Sequence, residues 1–125
     1  MKWQLDPDAT NRRLEVQVTG PIKAEPLQEM TRELRDALLA NGYKQVLLDY
    51  TQAVSQLEPY QIYERPRILQ NLAFPVDVKV AVLYSALDQD TQFLENVYRN
   101  KGFPVKVFSS RTSALSWLTS TGAEQ

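Results

Sequence analysis

Residues 78–84 read VKVAVLY, a run of β-branched and aliphatic side chains that is the clearest central-strand signal in the chain. Three similar runs, at residues 14–18 (LEVQV), 46–50 (VLLDY) and 105–108 (VKVF), alternate with stretches of helical period. Strands that alternate with helices in this way are typical of a parallel sheet covered by crossover helices. The sequence therefore predicts an α/β fold.

A fifth strand is predicted at the N-terminus, where residues 2–5 alternate polar and apolar side chains. The turn residues that follow it lead directly into the strand at 14–18, which predicts an antiparallel hairpin. The element order is then ββαβαβαβα: a single domain over residues 1–125 with a mixed five-stranded sheet and right-handed parallel crossovers. Pro104 favours an edge position for the last strand, and residues 119–125 are expected to fray.

The limits of the second helix are open on sequence grounds. Ser55 begins a capping-box pattern, whereas Pro59 favours Glu58 as the cap and itself as the first helical residue. Pro66 removes a backbone donor midway, which predicts a kink or two short helices. Two further caps are each open between two residues: Asp88 or Asp90 for the third helix, and Ser109 or Ser110 for the fourth.

The amino-acid composition excludes several classes of function. The chain of 125 residues has a net charge of −1, so there is no basic excess to bind nucleic acid. Cysteine and histidine are both absent, which excludes disulfides, the usual zinc ligands and histidine acid–base catalysis. The N-terminus shows no signal-peptide pattern and no run is long enough to insert in a membrane, so we expect a cytoplasmic protein without a cofactor.

Three segments are distinctive when taken together: residues 16–22 (VQVTGPI), residues 46–50 (VLLDY), and the closing strand at 105–108 followed by residues 114–118 (ALSWL). With these segments the chain resembles the STAS superfamily, the sulfate-transporter and anti-sigma-factor-antagonist fold. The likeness lies in element order and apolar pattern over nearly the whole chain, and it is greatest to a small stand-alone bacterial branch of largely uncharacterised proteins.

The resemblance implies a protein that works by binding other proteins and not by turnover. In the anti-sigma antagonists a switch serine lies at the start of the second helix, in a loop with paired hydroxyls and a glycine. The matching residues 49–58 of this chain read DYTQAVSQLE, with neither feature. A phosphorylation switch is therefore not carried over, although Ser55 and Thr51 remain weak candidate phosphoacceptors, with capping and turn closure as the competing roles.

A polar cluster is expected where the strands of the parallel sheet end, formed by Asp49, Ser85 and Asp88. Such a cluster could hold Mg²⁺ and accept a phosphoryl group, as in response-regulator receivers. That chemistry also needs an acid pair after an earlier strand and a lysine after a later one, and the sequence supplies neither. Helix capping is the competing role for these side chains.

The strongest local indication of function is the group Tyr60, Tyr63, Arg65 and Arg67 around the second helix. Tyrosine and arginine are typical anchors of protein interfaces. The same residues could cover a small pocket beneath the helix, or the tyrosine rings could simply be buried in the core.

These observations favour a non-enzymatic regulatory or scaffold module that binds another protein or a second copy of itself. The alternative is a binding module for a small apolar or lipid-like ligand, since lipid-transfer domains share a similar order of strands and helices. A phosphoryl-transfer or hydrolytic enzyme that uses Asp49 is the third possibility, and nothing in the sequence supplies it with a general base.

Overall fold

A computed structural model describes residues 1–120 of the protein and has the predicted element order ββαβαβαβα. The predicted frayed segment, residues 119–125, lies outside the described residues except for its first two. The strands and helices, in chain order, are β1 (Lys2–Asp8), β2 (Arg13–Ile22), α1 (Ala24–Asn41), β3 (Gln45–Ser55), α2 (Pro59–Asn71), β4 (Lys79–Leu83), α3 (Gln89–Asn100), β5 (Val105–Phe108) and α4 (Arg111–Thr119).

The sheet follows chain order, β1-β2-β3-β4-β5. β1 pairs with β2 antiparallel, and the three later pairs are parallel. The predicted fold class, an α/β domain with an N-terminal hairpin on a mixed five-stranded sheet, is confirmed. β5 lies at one edge of the sheet, as predicted from Pro104. A proline lacks a backbone N–H, and at an edge strand this loses no hydrogen bond to a further strand.

The helices cover the two faces of the sheet unequally. α1, α2 and α3 pack on one face, over inward side chains such as Val46, Leu48 and Tyr50 of β3. Each of these helices connects two adjacent parallel strands, and the strand order always advances toward the same edge of the sheet. Crossover connections between parallel strands are right-handed, so all three helices lie on the same face. α4 follows the last strand, and its Trp117 packs with Leu47 on the opposite face.

Lys79 fixes the end of α4 to the sheet. Its Nζ donates to the carbonyl oxygens of Trp117 at 3.0 Å and Ser120 at 3.1 Å, and to the Ser120 hydroxyl at 2.9 Å. The same ammonium group lies 5.0 Å from the centroid of the Trp117 ring. A cation at a helix C-terminus satisfies carbonyls that lack helical partners and opposes the negative end of the helix dipole.

The central region departs from the prediction in two places. The strand predicted at residues 46–50 continues to Ser55, because β3 pairs with β2 as far as Ile22 across a bulge. α2 is one continuous helix that contains Pro66, so the predicted alternative of two short helices is wrong. Of the two predicted starts for α2, the cap at Glu58 with Pro59 as the first helical residue is correct, and the Glu58 N–H donates to Gln61 Oε1 at 2.8 Å.

Candidate functional site

The two faces of α2 have opposite environments. Ile62 and Leu69 are buried, and their spacing of seven residues marks the inward face of the helix. Arg65 and Pro66 fall between them on that face and are buried as well. The group predicted from sequence is therefore divided between the two sides of the helix.

The outer face of α2 carries the other three residues of the group. Tyr60 and Tyr63 are 67% and 65% exposed, so the expectation that their rings are buried in the core is wrong. Arg67 lies on the same face at a spacing of four from Tyr63, and it forms an ion pair with Glu64. We use "outer face of α2" for Tyr60, Tyr63 and Arg67.

Beneath α2 lies a partly open cavity of about 70 Å³, lined by this helix, α1, α3 and the sheet. Its walls are mostly aliphatic and aromatic. Arg65 is the one charged residue of the lining, which consists of Ile22, Leu27, Met30, Thr31, Leu34, Leu48, Tyr50, Ser55, Leu57, Arg65, Leu69, Phe74, Val80, Val82, Tyr84, Leu94, Tyr98 and Val105.

The Arg65 guanidinium group has only neutral partners. Arg65 is 5% exposed, and its Nη2 donates to Thr31 Oγ1 at 2.6 Å while its Nε donates to the Tyr98 hydroxyl at 3.1 Å. Nη1 is buried and has no hydrogen-bond partner, and no carboxylate of residues 1–120 pairs with Arg65. Because arginine does not deprotonate in proteins, a buried and uncompensated positive charge borders the cavity.

Such an arrangement is costly. A buried donor without a partner costs about 1–3 kcal/mol, and an uncompensated buried ion costs several more. The sequence signal that could have revealed it was present: Arg65 stands three residues after Ile62 and four before Leu69, on the apolar stripe of its own helix. A charged residue in that position is either paired inside the fold or faces a ligand.

Two further tyrosines, Tyr50 and Tyr84, also line the cavity. Their rings meet edge to face, with centroids 5.6 Å apart. Burial raises the pKa of both hydroxyls above the ordinary tyrosine value, and the neighbouring Tyr50 raises the pKa of Tyr84 further. Both tyrosines are therefore neutral hydrogen-bond donors at physiological pH.

The predicted polar cluster at the strand ends is only loosely assembled. Asp49 is not at a strand end, because β3 continues for six further residues, and its Oδ1 accepts from the Thr51 hydroxyl at 2.6 Å and the Thr51 N–H at 2.9 Å. Ser85 Oγ donates to the Thr51 carbonyl at 3.2 Å, and Asp88 caps α3. Within residues 1–120 no three acidic side chains are grouped closely enough to hold a metal ion.

The environments of the two candidate phosphoacceptors differ from the expected one. Ser55 ends β3 three residues before the cap of α2, so the expectation that a helix begins at Ser55 is wrong. Its Oγ accepts from the Leu57 N–H at 3.3 Å, and the residue lines the cavity. Thr51 is half-buried within β3, at the bulge opposite β2, so the expectation that it closes a turn after the strand is wrong; its hydroxyl donates to Asp49 Oδ1.

No protein-family profile and no curated protein sequence matches the chain. Solved structures do match over nearly its whole length, and they show that the chain has a STAS-like fold. Over residues 1–120 no helix combines the length and the hydropathy that a membrane span requires.

Three of the similar structures are informative. An uncharacterized protein of the DUF3478 family from Shewanella loihica PV-4, described as SpoIIAA-like in fold, has a TM-score of 0.61 and 19% identity, covering 94% of this chain and 92% of its own. The unphosphorylated anti-sigma factor antagonist SpoIIAA has a TM-score of 0.53 and 12% identity, with 94% and 97% covered. The phosphorylated form of the Bacillus cell fate determinant SpoIIAA has a TM-score of 0.50 and 12% identity, with 94% and 99% covered.

Proposed function

We propose that this protein is a non-enzymatic, cytoplasmic regulatory module that binds another protein through the outer face of α2. The observation that carries the proposal is the exposure of two neighbouring tyrosines, 67% for Tyr60 and 65% for Tyr63, on one side of a helix. Arg67 extends the same side by one turn. Tyrosine and arginine are enriched at the energetic centres of protein interfaces. Tyrosine offers a large contact area with few rotatable bonds, and the planar guanidinium group of arginine forms several hydrogen bonds at once.

The similar structures support this proposal at the level of fold, since two of them are of a protein described as an anti-sigma factor antagonist or cell fate determinant. The hydrogen bonding of Asp49 also supports a non-enzymatic role. One carboxylate oxygen of Asp49, the residue on which an enzymatic function would depend, accepts two hydrogen bonds from Thr51 within its own strand.

The test compares the outer face of α2 with an equally exposed apolar position on another helix. A photo-activatable cross-linking residue is placed at position 63 or, as the control, at position 39, where Leu39 is 64% exposed on α1. A protein cross-linked only from position 63 is then purified, and its affinity is measured for the wild type, for the double variant Tyr60→Ala with Tyr63→Ala, and for Leu39→Ala. We expect the double substitution to weaken binding at least roughly tenfold, and Leu39→Ala to leave it unchanged.

Equal cross-linking from both positions, or an affinity that the double substitution leaves unchanged, would refute the proposed surface. Both tyrosines are exposed, and alanine favours helix, so the variant should remain folded. Cross-links between two copies of the chain would identify the partner as the protein itself.

A second candidate function is a binding module for a small ligand. The specific observation in its favour is the cavity beneath α2, since a small pocket beneath this helix is one of the alternatives that the sequence leaves open. Its lining is largely apolar, as ligand pockets generally are.

A further inference from the structure

We propose that the cavity beneath α2 binds a short-chain monocarboxylate, with the carboxylate on Arg65 and the hydrocarbon tail among the aliphatic walls. The proposal deepens the second candidate function. It is independent of the outer face of α2, because neither Tyr60 nor Tyr63 lines the cavity.

The charge of Arg65 points to an anion. Arg65 is only 5% exposed, and its two hydrogen-bond partners are neutral hydroxyl groups. Its Nη1 has no hydrogen-bond partner within residues 1–120. An anion in the cavity would supply both the missing acceptor and the missing negative charge. Hydrogen bonds between a guanidinium group and an oxyanion are among the strongest in proteins, because both partners are ionised.

The surroundings of Arg65 select a carboxylate over a phosphate. The lining contains no lysine and no second arginine, so a monoanion balances the charge and a phosphate dianion would remain uncompensated. Carboxylates also match the planar fork of a guanidinium group. Tyr50 lines the same wall and remains a neutral donor, because burial raises the pKa of its hydroxyl.

The size and the lining of the cavity select a short apolar tail. Leu34, Leu69 and Val82 are among the aliphatic side chains that surround it. The volume of about 70 Å³ is roughly half of an engineered cavity of about 150 Å³ that holds benzene. By that ratio acetate, with fewer non-hydrogen atoms than benzene, comes nearest to fitting the space as it stands, and the longer tails of propionate and butyrate need the surrounding side chains to move.

The experiment titrates the full chain with sodium acetate, propionate and butyrate, followed by calorimetry and by amide chemical shifts. Sodium chloride at the same ionic strength is the salt control, and butyramide is the uncharged analogue of the same shape. We expect dissociation constants on the order of millimolar, which tighten about fourfold for each added methylene group until the cavity is full. Butyramide should bind at least roughly tenfold more weakly than butyrate.

A matched pair of variants locates the site. Arg65→Met removes the buried charge and keeps most of the side-chain volume, whereas Arg67→Met makes the same change at an exposed position two residues away. We expect Arg65→Met to weaken butyrate binding at least roughly tenfold and Arg67→Met to leave it unchanged. If Arg65→Met does not fold, the amide chemical-shift changes of the wild type and the comparison of butyrate with butyramide still test the proposal, because neither measurement needs a variant.

The proposal would be overturned if the carboxylates bound no better than chloride, as expected if the cavity holds only water, or if butyramide bound as tightly as butyrate. It would also be overturned if Arg65→Met and Arg67→Met weakened butyrate binding equally, or if the chemical-shift changes were confined to residues at the surface. The double variant at Tyr60 and Tyr63 should bind butyrate as the wild type does. Failure of the ligand proposal and failure of the protein-docking proposal are thereby distinguishable.

Discussion

Arg65→Met should increase the stability of the ligand-free protein, although it removes two hydrogen bonds. The lost bonds, to Thr31 and Tyr98, each contribute about 1.5–3 kcal/mol, because the guanidinium donor is charged. Thr31 retains its own hydrogen bond to the Leu27 carbonyl, at 2.7 Å, so its hydroxyl donor stays satisfied after the substitution. The substitution therefore leaves few polar groups without partners.

The gain comes from the guanidinium group itself. Its Nη1 lacks a partner, which costs about 1–3 kcal/mol, and the transfer of the ion from water into the fold costs several kcal/mol more. Methionine is flexible enough to fill the vacated space. The balance is a net stabilisation of about 2 kcal/mol, within the range of about 1–4 kcal/mol seen when buried ionic groups are replaced by apolar ones.

The measurement is urea unfolding in a chloride buffer free of carboxylates, with Arg67→Met as the control. The control should stay within about 0.5 kcal/mol of the wild type, because Arg67 is on the surface. A loss of about 2 kcal/mol or more in Arg65→Met would refute the reasoning, since it would mean that Arg65 anchors the three helices and is not an uncompensated charge.

Three further predictions follow from contacts elsewhere in the fold. Burial raises the pKa of Tyr50 and Tyr84 in the folded state, so above pH 10 these tyrosines ionise in the unfolded chain before they ionise in the folded protein. The free energy of unfolding should therefore fall above pH 10 by on the order of 1 kcal/mol per pH unit for each tyrosine. Tyr50→Phe should reduce this slope when unfolding is measured at a series of alkaline pH values. Lys79→Met should lower the free energy of unfolding by about 2 kcal/mol and speed amide hydrogen exchange in α4, because it removes the hydrogen bonds from Lys79 to the end of that helix. Lys106→Met on the adjacent strand is the control, and it should lower the free energy of unfolding by less than half as much. Gly42→Ala should lower the free energy of unfolding by about 1 kcal/mol, because Gly42 ends α1 at a φ of 69° with nothing near its α-carbon to compensate; an unchanged thermal midpoint would contradict this.

The strands and helices could be predicted because their signals are local. The VKVAVLY run at residues 78–84 and the helical period after Pro26 each depend on neighbouring residues only. The length of β3 could not be predicted, because residues 51–55 carry no strong strand signal of their own. They are extended because the end of β2 pairs with them, a contact between residues about 33 apart in the chain.

The site depends on tertiary contacts. Sequence placed Tyr60, Tyr63, Arg65 and Arg67 in one group, and the structure separates Arg65 from the others by turning it under the helix. α2 carries two tyrosines on one face and the aliphatic Ile62 and Leu69 on the other, so local pattern did not decide which face is inward. Packing against α1 and α3 decided it.

The amino-acid order alone determined the class of fold, the order of the elements and the exclusion of histidine and cysteine chemistry, since periodicity and composition are properties of the chain itself. Tertiary structure alone decided that two tyrosines face solvent and that one arginine borders an apolar cavity without a counter-charge. The physical reason is that burial and charge compensation depend on which distant residues meet, and only the assembled layers bring Thr31 and Tyr98 to Arg65.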